Sequence, residues 1–119
     1  MTLNTQHSPT LDIHALESIS TDRSFLIEVC DSFLADAPAR IEAVDAAIAK
    51  GDPSALKSTA HALKSLSSCV GAIGLFKMAQ RMEILGKSEQ TQPAMPLIEQ
   101  VKHEYKNVQI AIETYKNAQ

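Results

Sequence analysis

Four histidines, His7, His14, His61 and His103, offer this chain a neutral nitrogen nucleophile close to pH 7. The usual frameworks for self-contained chemistry are missing. There is no GxxxxGKS or GxxxxGKT loop, no GxGxxG, no HExxH, no metal-spaced Cys/His cluster and no GxSxG elbow. The expectation is a chain with no metal or cofactor site of its own and no complete reaction to catalyse alone. Cys30 and Cys69 lie far apart and form no CxxC, so both read as buried thiols without a functional role.

His61 stands out from the other three by its neighbours. With Leu63 as origin and the α-helical step of about 100° per residue, Leu56, Ala60, Leu66, Ser67 and Val70 share one apolar face. His61 falls about 160° from that origin, with Lys57, Ser65 and Ser68 beside it and Lys64 one turn along. The wheel therefore predicts a histidine and Lys64 presented to solvent. A cation at i+3 and small hydroxyl residues at i+4 and i+7 leave room over the ring and suit a phosphoryl group. A solvated surface histidine is the competing reading. His103 also falls on a polar face, but Glu99, Gln100, Lys106 and Asn107 crowd it, so it reads as a surface residue. His14 falls on a short, marginal helix and His7 in a polar tail.

The elements that must position His61 are helical. A chain of 119 residues, 45% hydrophobic, accommodates one core, and its few Gly and Pro residues separate long stretches with a three-four apolar rhythm. After a polar, flexible tail over residues 1–10, a domain over 11–117 is expected. It starts with a short helix from about Asp12 to Ser18. A longer helix follows, capped by Thr21 or Asp22 and ending at Gly51, with Pro38 expected to kink or divide it. Gly51-Asp52-Pro53 reads as stop, N-cap and first helical position for the helix of His61, which can run to Val70 before Gly71. A third long helix spans Ala72 to Leu85, with Leu75, Met78, Ala79 and Met82 inward and Gly86 as its stop. Pro93 and Pro96 open the last, whose stripe is Ile98, Val101, Tyr105, Val108, Ile112 and Tyr115. These predict an all-α fold, an antiparallel up-and-down four-helix bundle with a short extra N-terminal helix.

The segment from Ala60 to Ala72 resembles the active helix of histidine-containing phosphotransfer (HPt) domains, whose pattern is roughly His-x-Leu-Lys-Gly-Ser-Ser-x-x-Leu-Gly-Ala. His61, Leu63, Lys64, Ser67, Gly71 and Ala72 match it, and Val70 is a conservative change. The likeness extends over about residues 11–116, through Phe33-Leu34 before Pro38, the Gly51-Asp52 turn, and Leu75, Ala79, Met82 and Glu83. Two positions depart from the pattern: Ser65 replaces the usual glycine and Leu66 a small residue. In the family that glycine lets a partner approach the histidine, so Ser65 bears on docking clearance and transfer rate. Leu66 falls on the core side, where packing absorbs its bulk.

The resemblance implies a relay. His61 would accept a phosphoryl group from the phosphoaspartate of a receiver domain and pass it to the aspartate of another, with Lys64 screening phosphate charge. Mg2+ would sit on the receiver, and no ATP site is needed. Glu83 occupies the position where some related domains place a group that hydrogen-bonds the histidine's other ring nitrogen; a solvated glutamate is the plain alternative. Phe25 falls off its helix's apolar stripe and could join Ile13 or Ile19 in an exposed docking patch, or these residues could simply pack the first helix.

Partners are therefore expected to be receiver domains of response regulators or of a hybrid histidine kinase, met by a monomer. A net charge of −3 and 4% aromatic residues provide neither a basic stripe nor stacking platforms for nucleic acid. No apolar run approaches a membrane span and the N-terminus resembles no targeting signal, so a cytoplasmic setting is expected. Two rival readings are a helical interaction module that transfers nothing and the phosphoacceptor bundle of a histidine kinase. The first leaves His61 and Lys64 unexplained, and the second requires an ATP domain that this chain lacks.

Overall fold

A computed structural model describes residues 10–118. The expected tail therefore falls, but for Thr10, outside the described residues, as does His7. The chain forms α1 (Ile13–Glu17), α2 (Arg23–Lys50), α3 (Pro53–Cys69), α4 (Ile73–Lys87) and α5 (Met95–Asn117), with one 3-10 turn at Gln92–Ala94. There is no strand among the described residues. The four long helices make the up-and-down bundle that the apolar rhythm predicts, with α1 laid across one end.

Three aspartates start three of the helices. Asp12, Asp22 and Asp52 occupy the N-cap positions of α1, α2 and α3, and each carboxylate accepts from backbone N–H groups of the first turn. Such a cap satisfies donors that the helix itself leaves unpaired. Gly51 ends α2 in the left-handed conformation, φ 64°, and Pro53 opens α3 where a missing N–H costs nothing.

The inner faces of the helices meet in one core. Leu16 from α1, Cys30, Phe33, Ala37 and Val44 from α2, and Leu56, Ala60 and Leu63 from α3 are buried. They pack with Leu75, Ala79 and Met82 of α4 and Val101, Val108 and Ile112 of α5. Truncating a fully buried leucine such as Leu63 to alanine would cost about 2–5 kcal/mol, so these positions fix how α3 is rotated. Leu66 and Met78 are half-buried at the edge of this core.

Four sequence expectations need correction. Pro38 does not divide α2, which runs unbroken for 28 residues. Proline leaves the carbonyl four residues back without its helical donor, and here the hydroxyl of Tyr105 donates to Leu34 O at 3.1 Å. Gly86 does not stop α4, which continues to Lys87. A side chain at Gly86 would meet the backbone of α3, with Lys57 N at 2.5 Å and Pro53 O at 2.8 Å, so this glycine is a point of close helix approach. Pro93 falls in the 3-10 turn, and Pro96 alone lies within the start of α5. Cys69 is exposed at the end of α3, although Cys30 is buried as expected.

No described helix is long and apolar enough to cross a membrane.

Candidate functional site

The apolar face of α3 dictates what its opposite face presents. With Leu56, Ala60, Leu63 and Ser67 held in the core, His61 points outward and its side chain is 59% exposed. Ser67 tolerates complete burial because its hydroxyl donates to Leu63 O at 2.8 Å. Ser65 and Ser68 are exposed beyond His61, and the Ser68 hydroxyl donates to Ser65 O at 2.8 Å.

Glu83 comes from the neighbouring helix. Its side chain is only 8% exposed, and it reaches from α4 beneath the His61 ring. Oε2 lies 2.9 Å from His61 Nδ1, while Oε1 lies 2.7 Å from Lys64 Nζ. The two partners thus use different oxygens of one carboxylate. Lys64 holds the Glu83 carboxyl below the usual carboxylate range; burial opposes that effect and the His61 hydrogen bond reinforces it. An ionised carboxylate only accepts, so in the neutral imidazole Nδ1 carries the ring proton and Nε2 holds the lone pair on the exposed side.

The close approach at Gly86 makes this arrangement possible. One turn from Glu83, the absence of a side chain lets α4 lie against the α3 backbone at Lys57 and Pro53. Lys87, i+4 from Glu83, brings its ammonium to 3.9 Å from Glu83 Oε2 while its side chain remains 60% exposed.

The structure brings His61, Lys64 and Glu83 into direct contact and places Ser65 and Ser68 on the same outward face. It corrects the expected exposure of Lys64, whose side chain is 23% exposed and tied to Glu83. A helical wheel follows one helix and cannot place a carboxylate from another. Lys87 was not singled out in the sequence, although its i+4 spacing from Glu83 was there to be read.

His14 and His103 are exposed, and neither has a comparable partner. Ile13, Ile19 and Phe25 are also exposed, at 37%, 47% and 44%. A shallow apolar notch is lined by Ala15 of α1, Ser68 of α3, and Ile73 and Phe76 of α4, whereas Ile13 lines a separate hollow with Arg23 and Tyr115.

The bundle thus carries an outward histidine on α3, backed by a buried carboxylate from α4. The Hpt domain family model matches residues 28–111, and the chain belongs to that family. It is a histidine phosphotransfer module of two-component phosphorelay signalling.

Among solved structures, it is similar to histidine-containing phosphotransfer protein B (HptB) from Pseudomonas aeruginosa PAO1. The two are 31% identical, with 92% of this chain and 96% of that one covered and a TM-score of 0.83. The HPT domain of a sensor hybrid histidine kinase from Shewanella shares the fold at 21% identity, with 89% and 92% covered and a TM-score of 0.75. No curated protein matches the sequence.

Proposed function

We propose that His61 is the phosphoacceptor, taking its phosphoryl group from the phosphoaspartate of one receiver domain and returning it to the aspartate of another. The observation that carries this reading is the single hydrogen bond between His61 Nδ1 and buried Glu83, which leaves Nε2 unprotonated and open to solvent. Nε2 attacks phosphorus, the N–P bond forms as the acyl-phosphate P–O bond breaks, and the receiver's carboxylate departs with the electron pair. Nδ1–H stays bonded to Glu83 throughout and steadies the positive charge that develops on the ring. The second transfer reverses these events on a different aspartate.

Lys64 supplies positive charge next to the reacting ring, and the small Ser65 and Ser68 leave the approach to Nε2 clear. The divalent cation and the rest of the catalytic apparatus belong to the receiver, so this protein acts as a carrier and uses no ATP itself. It works as a cytoplasmic monomer. The outward face of α3 meets the receiver, with the exposed Ile13, Ile19 and Phe25 as apolar docking surface.

The test is transfer from a radiolabelled phospho-receiver. Label should reach the wild-type protein in an acid-labile, alkali-stable form and be absent from His61→Gln, while His103→Gln behaves as wild type. ATP alone should label none of them. Label retained on His61→Gln would overturn the assignment, and a wild-type protein that no receiver labels would favour the non-catalytic interaction module.

A further inference from the structure

The two lysines beside Glu83 are held very differently. Lys64 Nζ makes a 2.7 Å contact with Oε1 and its side chain is mostly buried. Moving it toward a phosphoryl group on Nε2 would strip a buried carboxylate of its partner, which is costly in a site this shielded. Lys87 Nζ lies 3.9 Å from Oε2, beyond hydrogen-bond distance, on a side chain that is 60% exposed. It can leave without breaking a hydrogen bond. Lys64 is also the largest cause of the lowered Glu83 pKa, with burial opposing it and His61 reinforcing it.

Lys87 also shares a notch with Lys57. The close approach at Gly86 places both lysines around one hollow at the base of α3, with Pro53 and Ser54 on its floor. Lys57 lies one turn before His61 and Lys87 one turn after Glu83, whose Oε2 links the Lys87 ammonium at 3.9 Å to His61 Nδ1 at 2.9 Å. Glu89 lines the hollow too, but forms an ion pair with neither lysine.

Building on the phosphoacceptor reading, we infer that Lys87, assisted by Lys57, is the cation that meets the phosphoryl group on His61, and that Lys64 is a positioning residue clamping Glu83. The flexible lysine follows the dianion as it arrives and leaves, while the clamped one keeps the ring in its reactive tautomer. Both lysines also extend a positive potential toward the phosphorylated pocket of an approaching receiver.

The intact protein, phosphorylated on His61 with potassium phosphoramidate, tests this without any receiver. Lysine reactivity toward an acetylating reagent is compared before and after phosphorylation by mass spectrometry. Lys87 should become about threefold less reactive or more, as its ammonium pairs with the phosphoryl oxygens, while Lys64 stays equally unreactive in both states. Lys64→Gln should disturb the His61 tautomer, read from ring 15N shifts, and Lys64→Arg should restore it; Lys87→Gln should leave it in place.

With a phospho-receiver as donor, Lys87→Gln should slow transfer about fivefold at low salt, and the deficit should shrink as ionic strength rises. Protection of Lys64 in place of Lys87, protection of neither, or failure of phosphoramidate to label His61 would overturn the assignment. If Lys87 is protected but no receiver delivers phosphate, the assignment stands and the carrier reading fails. If receivers deliver it while Lys87 stays fully reactive, the reverse holds.

Discussion

Helices α3 and α5 each turn a histidine to solvent, and the two surroundings differ in what lies beneath the ring. Under His61 a buried carboxylate from the next helix binds Nδ1 and is itself held by Lys64. No side-chain hydrogen bond or ion pair reaches the His103 ring among the described residues. The polar side chains near it serve one another or the fold: Lys102 pairs with Asp45 at 2.8 Å, Asn107 donates to Glu104, and Tyr105 serves the Pro38 gap in α2. Exposure makes a histidine available. A fixed tautomer makes it a directed nucleophile, and that requires a second helix at close range.

The strongest way to break this comparison is to crowd each histidine from the same side. Ser65 lies one turn beyond His61, and Asn107 stands in the same relation to His103. Ser65→Arg should slow transfer from a phospho-receiver by about 100-fold, with helicity by circular dichroism retained because arginine is a good helix former. Asn107→Arg should have no effect on that rate. Ser65→Gly, which restores the family residue, should transfer at least as well at a stability cost of about a few tenths of a kcal/mol.

Next comes the seam that delivers Glu83. Gly86→Ala forces a methyl group against the α3 backbone and should cost about 2–3 kcal/mol in urea unfolding. Gly74 provides the counterpart near α5. There the added carbon would meet the flexible end of Glu104, Oε2 at 2.5 Å, which can swing away. Gly74→Ala should therefore fall within about 0.5 kcal/mol of wild type, as helix propensity offsets the displacement.

Glu83 gives the site a pH signature on the acid side. Its native pKa lies below the ordinary 4.5, so its ionised contribution to stability is complete above that pH and is lost as pH falls through the lower native value. Unfolding at pH 7, 5 and 3 should show the wild-type advantage over Glu83→Gln undiminished between the first two and reduced at the third. A constant difference would mean that charge is not what Glu83 contributes.

The smallest expected effect concerns α5's own polar task. Tyr105→Phe should cost about 1 kcal/mol by leaving Leu34 O unpaired. In a Pro38→Ala background the restored backbone N–H serves that carbonyl, and the penalty should largely vanish.

Much of this architecture was legible because each helix writes its inner face into a local rhythm. The stripe from Leu56 to Val70 oriented α3 and so placed His61 outside, and the cap at Asp52, with Asp22 one of two candidates beside Thr21, marked where α3 and α2 begin. Contacts between helices were far less legible. Gly86 looked like a stop because glycine usually ends helices, whereas its missing side chain admits the backbone of α3. Lys64 looked solvated because the wheel contains no Glu83, and Cys69 was assigned to the interior on residue type alone. Pro38 suggested a break because the hydroxyl that compensates for it lies far along the chain, on Tyr105.

Gly71 shows how this economy reaches the surface beside Ser68. It adopts φ 72°, its carbonyl accepts from Asp12 N at 2.7 Å, and an added Cβ would lie 2.8 Å from Asp12 O. α1 is thus fastened to the α3–α4 turn at a point where only glycine fits without strain. The contour beside Ser68, built jointly by α1 and that turn, inherits its tolerance from this one residue. A larger side chain at position 71 would reshape this contour while leaving the imidazole and its carboxylate untouched, separating the shape of the surface from the reactivity of the ring in a single step.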